Sequence, residues 1–288
     1  MGRARRTQFG DFSPRFYNPE TAAIAILPVP YDGTSTWIKG ADKGPQAILD
    51  ASYNLEFYDI ETDSEVFRKG IFTEPPVEGF ADPVRLAGVV RQRMSRILEQ
   101  NKFPVVLGGE HSVSIGVIEA MADKYKDLTV LQLDAHSDLR DSYEGSTHNH
   151  ACVMARAKEF AAVVQVGIRS MDISEKKNMD WGRVFFSHDI CSRTDQQWID
   201  QAVEHLTENV YLTIDLDVFD PSIMPATGTP EPGGINWYEA VHLIRAVCSR
   251  RNLTGFDVVE LCPREHLWAS DFLAAKLVYK TLTYKFCL

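Results

Sequence analysis

Three stretches of the chain end an apolar run with groups that bind cations. In Leu131-Gln-Leu-Asp134-Ala-His136-Ser-Asp138 a carboxylate, an imidazole and a second carboxylate fall at every other position. Side chains alternate along extended backbone, so all three point the same way. Tyr211-Leu-Thr-Ile-Asp215-Leu-Asp217 repeats the pattern with two same-side carboxylates. Val105-Val-Leu-Gly-Gly-Glu-His111 brings an imidazole past a third run, where Gly108 and Gly109 permit a tight turn. Brought together without a partner, these groups would repel one another and be costly to desolvate. A divalent cation removes both problems. The six candidate ligands are His111, Asp134, His136, Asp138, Asp215 and Asp217. Their four carboxylates balance two divalent ions better than one. Oxygen-rich ligation without thiolate favours Mn²⁺ over a structural zinc, with Ni²⁺ and other first-row ions as alternatives. Two ions about 3.5–4 Å apart can share one water and lower its pKa toward neutrality. Singly, each aspartate reads equally well as a cap and each histidine as a satisfied core residue. The repetition at three strand ends sets them apart.

The elements that must position these groups are legible as short, non-alternating apolar runs. They are Ile24–Val29, Pro104–Leu107, Thr129–Leu133, Val163–Val166, Val184–Phe186, Val210–Ile214 and Gly255–Val259. Such runs mark strands buried on both faces. Between them lie helical stretches. Asp82 followed by Pro83 predicts a capped helix reaching about Gln100. Asn236 with Glu239 predicts a capping box opening a helix striped by Trp237, Ala240, Val241, Ile244 and Val247. Strand–helix alternation implies α/β architecture with a mainly parallel sheet, whose ligands bind beyond the C-terminal strand ends. The candidate ligands fall there.

Composition narrows the function. The 288 residues suit one large α/β domain, and 44% hydrophobic with 24% charged residues excludes wholesale disorder. A net charge of −10 argues against nucleic acid or an anionic membrane as partner. No apolar run reaches the roughly 18 residues of a membrane span. The basic opening MGRARRTQFG lacks the apolar stretch of a secretory signal. The five cysteines are scattered, odd in number and without a CxxC pair, so they read as reduced thiols in a cytoplasmic protein.

Gly108-Gly-Glu-His111-Ser, Asp134-Ala-His-Ser-Asp138 and Asp215-Leu-Asp217-Val-Phe-Asp220-Pro resemble the signatures of the ureohydrolases, the family of arginases, agmatinases and their relatives. Pro30-Tyr-Asp-Gly-Thr34, Gly167-Ile-Arg169, Pro225-Ala-Thr-Gly-Thr-Pro230-Glu-Pro-Gly-Gly234 and Asp257-Val-Val-Glu260 extend the resemblance over nearly the whole chain. It implies a single three-layer α/β/α domain with a parallel sheet of about eight strands, Ile71–Thr73 supplying the eighth, behind a short N-terminal extension (about 1–20). It also implies two Mn²⁺ per subunit and a homotrimer or homohexamer. By motif position, Asp134 and Asp215 would bridge the ions, His111 and Asp138 would complete one site, and His136 and Asp217 the other. The implied reaction splits a guanidino group into urea and an amine.

Within that resemblance Glu260 matches the glutamate that holds the guanidinium through two N–H groups; otherwise it is an acid in a strand-end turn. Asp138 is placed to pass a proton to the departing amine, and His150 matches the histidine that relays protons onward. His148 competes with His150 for that role, and Cys152 beside it raises a Cys/His nucleophile that nothing in the sequence orients. Asp172 and Glu175 stand at the family's spacing for amine contacts, and Asp141 and Glu144 are near in sequence; each also reads as solvated loop charge. Arg140 stands where arginases carry Asn. The expected substrate is therefore agmatine, giving putrescine, with aminopropylagmatine or guanidinobutyrate as alternatives, the last because Arg140 could bind a carboxylate. Two rivals remain: a dinuclear phosphoesterase, and a catalytically silent metal-binding regulator.

Overall fold

The computed structural model describes residues 6–193 and 195–288. Its eight strands are β1 (Ile24–Val29), β2 (Ile71–Thr73), β3 (Phe103–Gly108), β4 (Leu128–Leu133), β5 (Ala162–Ile168), β6 (Val184–Phe186), β7 (Asn209–Asp215) and β8 (Asn252–Val259). They form one sheet in the order β2-β1-β3-β8-β7-β4-β5-β6, every pairing parallel. All the expected strands are present, and most run slightly further than their apolar cores. The interior strands are buried along their length because both faces are covered.

The helices are α1 (Gly44–Ser52), α2 (Pro83–Glu99), α3 (Ser114–Lys124), α4 (Val153–Ala157), α5 (Ser187–Cys191), α6 (Gln197–Glu204), α7 (Trp237–Arg250) and α8 (Trp268–Cys287). Alternate strand residues feed two cores. Ile24, Ile26, Leu131 and Leu133 pack with α1 and with α5 to α8, whereas Ala25, Leu27 and Val130 pack with α2, α3 and α4. This is the three-layer α/β/α arrangement. The caps form as expected: the Asp82 carboxylate accepts from Val84 N–H, and Asn236 and Glu239 make the reciprocal capping box. None of the described helices is long and apolar enough to cross a membrane.

Part of the expected N-terminal extension, residues 1–5, lies outside the described residues. The rest is tied down. Phe9 and Phe12 are buried in the first core, and Gln8 and Phe9 exchange hydrogen bonds with Thr73 on the edge strand β2.

Consecutive strands β3 and β4 are separated in the sheet by β8 and β7. Connections leave in opposite directions there, opening a crevice at the C-terminal strand ends. The residues following β3, β8, β7 and β4 meet in it.

Candidate active site and metal centre

His111 follows β3, Asp215 ends β7 with Asp217 in the turn just past it, and Asp134, His136 and Asp138 follow β4. Among the described residues they converge into two groups, His111 with Asp134 and Asp215, and Asp134 with His136 and Asp217; the ligand atoms within each group lie within 4.8 Å of one another. Asp134 belongs to both, and Asp215 joins the first. Asp138 Oδ2 lies 3.0 Å from His111 Nδ1. The loops are fixed by the ligands' own backbone. Asp134 Oδ1 accepts from His136 N–H at 2.6 Å, Asp215 Oδ1 from Asp217 N–H at 2.9 Å, and Asp217 Oδ1 from Ala135 N–H at 3.0 Å. Gly109 allows the β3 turn to close against β1, since a Cβ there would sit 1.9 Å from the Tyr31 carbonyl oxygen.

Beneath the ligands a row of buried polar side chains crosses four strands in register: Gln165 on β5, Gln132 on β4, Thr213 on β7 and Asp257 on β8. Gln165 donates to Gln132 Oε1 at 2.6 Å, and Gln132 donates to Asp134 Oδ2 at 2.7 Å. Thr213 donates its hydroxyl to Asp257 Oδ1 at 2.6 Å, and Tyr211 donates to Oδ2 at 2.6 Å. His111 Nε2 lies 2.9 Å from Thr213 Oγ1. With its one hydrogen directed at Asp257, Thr213 can only accept from His111, which assigns the ring hydrogen to Nε2. A carboxylate behind a ligating imidazole fixes its orientation in this way.

That assignment leaves the Nδ1 lone pair facing the carboxylates, and this is what a metal site requires. His111 Nδ1 is buried, lies 3.1, 3.0 and 3.5 Å from oxygens of Asp134, Asp138 and Asp215, and aligns a hydrogen bond with none of them. His136 Nδ1 lies 2.9 Å from Asp217 Oδ2. The imidazole nitrogens and carboxylates therefore fit a pair of divalent cations.

The electrostatics agree. Burial pushes Asp215 well above the usual carboxylate range, and Asp217, Asp134 and Glu260 add repulsion. Burial and then Asp134 push Asp138 up to about 7. Burial opposes charge on His111 and His136, yet the neighbouring aspartates draw both well above the ordinary imidazole value. Asp134 moves the other way, because both imidazoles outweigh its burial. Acids and imidazoles that together rise are short of positive charge. Cations must then compete with protons for Asp138 and Asp215. Mn²⁺ affinity should accordingly weaken as pH drops through about 7, where Asp138 and both imidazoles hold protons, with protons released on binding. Calorimetric titration of the metal-free protein with Mn²⁺ at pH 6 and pH 8, in buffers of different ionisation enthalpy, measures both; equal affinity without proton release would contradict the assignment.

A cavity of about 300 Å³ opens above the cluster, lined among others by Trp37, Tyr143, His150, Asp172 and Glu260. Glu260, just past β8, is held at φ +65°, and its Oε1 accepts from His111 N–H at 2.9 Å. Asp138 is likewise left-handed, at φ +52°. Strained non-glycine backbone at two chemically central residues aims side chains that regular structure would not. Burial, then Glu110, raises Glu260 well above the ordinary carboxylate value.

Glu175 takes a different place from the one expected of an amine contact. It is buried, and its Oε1 accepts from Ser137 Oγ–H and Leu139 N–H, both at 2.8 Å, on either side of Asp138. Its Oε2 accepts from Asp172 N–H at 2.6 Å. Both oxygens accept hydrogen bonds from the chain itself, so Glu175 braces the Asp138 loop from the wall of the cavity it also lines. Asp172 stays half-exposed at the mouth, 3.7 Å from the Arg140 guanidinium, which lies over the Tyr143 ring. Asp141 is bound to Lys177 and Asn178. His150 lines the cavity, whereas His148 bonds its neighbour Thr147. Burial pushes the Cys152 thiol up to about 11, which removes the Cys/His nucleophile.

Arg169 is a positioning group to which the sequence assigned no role. Its guanidinium donates to the carbonyls of Asp217, Glu231 and Gly167, pinning the Asp217 loop to the end of β5.

With this geometry in hand, comparison with known proteins is specific. A sequence model of the Arginase family matches residues 22–283. An N(1)-aminopropylagmatine ureohydrolase of Synechocystis sp. is 39% identical, covering 91% of this chain and 89% of the relative. An agmatinase of Pyrococcus horikoshii is 34% identical over 90% of both chains. The crystal structure of an agmatine ureohydrolase of Thermoplasma volcanium superposes with a TM-score of 0.87 at 30% identity, covering 99% of this chain and 95% of that one.

Proposed function

The chain belongs to the arginase family and is a ureohydrolase, and from that premise we propose that it cleaves N(1)-aminopropylagmatine, a guanidine with a cationic tail, into urea and a polyamine, using two Mn²⁺ held by His111, Asp134, His136, Asp138, Asp215 and Asp217. Similarity to aminopropylagmatine ureohydrolases at 39%, 36% and 35% identity favours this substrate over the agmatine expected from sequence. The carrying observation is the pairing of Glu260, strained into the floor of the cavity, with the half-exposed Asp172 at its mouth. A guanidinium and a distal ammonium match the two carboxylates.

When bound, the two ions supply a water acidified enough to act as nucleophile near neutral pH. The chain supplies the rest. Glu260 accepts two guanidinium N–H groups and fixes the planar carbon above the cluster. The Asp138 carboxylate takes the proton released as the new C–O bond forms. It returns that proton to the nitrogen that leaves when the C–N bond breaks. His150 exchanges protons between the cavity and solvent. At the mouth the distal ammonium displaces the Arg140 guanidinium from Asp172. A homotrimer or homohexamer belongs to the same reading and is tested by light scattering.

Urea release from aminopropylagmatine, agmatine, arginine and guanidinobutyrate, side by side, tests the substrate. Aminopropylagmatine should exceed agmatine about tenfold in kcat/KM, the worth of about 1.4 kcal/mol. Preference for guanidinobutyrate would overturn the cationic-tail assignment and make Arg140 the contact. Two-ion loading without urea release from any of the four would favour the silent relative.

A further inference from the structure

We propose that Gln132, aimed by Gln165, is the positioning residue that holds the Asp134 carboxylate astride the two ligand groups, and so sets how tightly the pair of ions is bound. The inference rests on the two-ion reading proposed above.

Donor counting carries it. Gln132 on β4 and Gln165 on β5 are register partners, and both are buried. A buried amide in a strand covered on both faces is costly unless its polar atoms are bonded. All four side-chain N–H groups of this pair find acceptors. Gln132 Nε2 donates to Asp134 Oδ2 at 2.7 Å and to the His136 carbonyl at 3.2 Å. Gln165 Nε2 donates to Gln132 Oε1 at 2.6 Å and to the Ser137 carbonyl at 2.8 Å. The orientation of each amide is forced. An ionised carboxylate and a main-chain carbonyl only accept, so the nitrogen of Gln132 must face them. Its oxygen is then turned to Gln165, whose own nitrogen must face that oxygen and the Ser137 carbonyl. Every bond the pair donates ends on the pair itself or within residues 134–137, the stretch that carries the ligands of β4.

The acceptor sites of Asp134 show what this achieves. Its Oδ1 accepts from His136 N–H at 2.6 Å, and its Oδ2 accepts from Gln132. A carboxylate offers about four acceptor sites, two on each oxygen. One site on each oxygen is spent on the chain, and one on each is left. The two oxygens face different groups: Oδ2 lies 3.1 Å from His111 Nδ1, whereas Oδ1 lies 3.6 Å from His136 Nδ1. Asp134 is thereby held to serve one ligand group with each oxygen. Without Gln132 nothing on the Oδ2 side resists rotation of the carboxylate toward one group at the expense of the other. Gln165 acts at one remove, fixing Gln132 and, through Ser137, the turn between His136 and Asp138.

Calorimetric titration of the metal-free protein with Mn²⁺ tests this independently of turnover. Gln132→Met keeps a long unbranched side chain and removes the donors. It should weaken Mn²⁺ affinity about 10- to 100-fold, the range for groups behind a ligand, while excess Mn²⁺ restores two ions per chain and most of kcat. Gln165→Met should weaken affinity less, by about two- to tenfold. Thr129→Val is the control for general loosening, since Thr129 is buried in the same strand but bonds Thr207 at the opposite end. It should lower Tm and leave affinity unchanged. Wild-type affinity in Gln132→Met overturns the proposal, as does wild-type affinity in Gln165→Met if Gln132→Met does not fold. Equal weakening by Thr129→Val overturns it too, because the effect would then be loss of stability alone. Fewer than two ions on the wild-type chain at saturating Mn²⁺ would instead sink the two-ion reading beneath it.

Discussion

Asp134→Ala should abolish urea release, by at least about a thousandfold, and should leave fewer than two ions bound per chain. Removing a group behind a ligand typically costs roughly 10–100-fold; in the proposed assignment Asp134 is itself a ligand, and it belongs to both candidate groups. Its Oδ1 also orders His136 through the backbone N–H, and its Oδ2 is the end of the Gln165–Gln132 chain. Loss of this one carboxylate thus opens both ion sites and frees the loop carrying two further ligands. Metal content by mass spectrometry and turnover by urea release measure the two effects. Stability separates them from misfolding. In the metal-free protein both imidazoles hold Asp134 below the usual carboxylate range and it accepts from His136 N–H and Gln132, so Asp134→Ala should lower Tm while unfolding stays a single transition. Wild type should gain Tm when Mn²⁺ is added, because the ions bind only the folded chain, and the variant should gain much less. Full two-ion occupancy in Asp134→Ala would overturn the assignment.

The candidate ligands were legible in the sequence because they break a pattern. A buried, largely apolar strand ends in charged groups at every second position, at β4 and β7 alike, and the alternation says they share a side. The strands were legible for the same reason: burial on both faces leaves unbroken apolar runs. The supporting residues leave no comparable trace. Thr213 reads as an ordinary β-former inside β7, and Gln132 as one polar interruption of β4. Their role appears only when register aligns Gln165, Gln132, Thr213 and Asp257 across the sheet. Each precedes or neighbours a functional strand end on the same face, but sequence order gives no hint of which strands pair, since β8 inserts beside β3. Thr34, whose Oγ1 accepts the His150 backbone N–H, is further still from legible: it lies 116 positions away. Glu175 shows what spacing leaves out: its burial and its bonds to Ser137 and Leu139, which brace the Asp138 loop, depend on the packed fold and not on its distance from Gly167-Ile-Arg169.

Glu260→Gln should separate substrate recognition from metal binding. Glu260 is in neither ligand group, and its Oε1 is held by His111 N–H. Glutamine can keep that bond through its carbonyl oxygen, which turns its NH₂ group toward the substrate. A guanidinium offers only donors, so donor then meets donor where a carboxylate had accepted two hydrogen bonds. Breaking a buried ion pair on one side costs about 3–5 kcal/mol. That corresponds to a loss in kcat/KM between roughly a hundredfold and a few thousandfold at about 1.4 kcal/mol per tenfold. Fold and ions should survive, since burial and Glu110 already disfavour charge at this position and the neutral amide relieves that cost. The comparison is then between two variants of one cavity: Asp134→Ala loses ions and rate together, whereas Glu260→Gln keeps two ions and loses affinity for guanidines. Titration with guanidinium chloride as a competitive inhibitor isolates the contact from the tail, since this probe has no distal amine to reach Asp172. Its inhibition should weaken with Glu260→Gln and be unchanged by Asp172→Asn. Loss of both ions from Glu260→Gln, or a kcat/KM within about threefold of wild type, would remove Glu260 from the recognition role and leave the guanidinium without its partner.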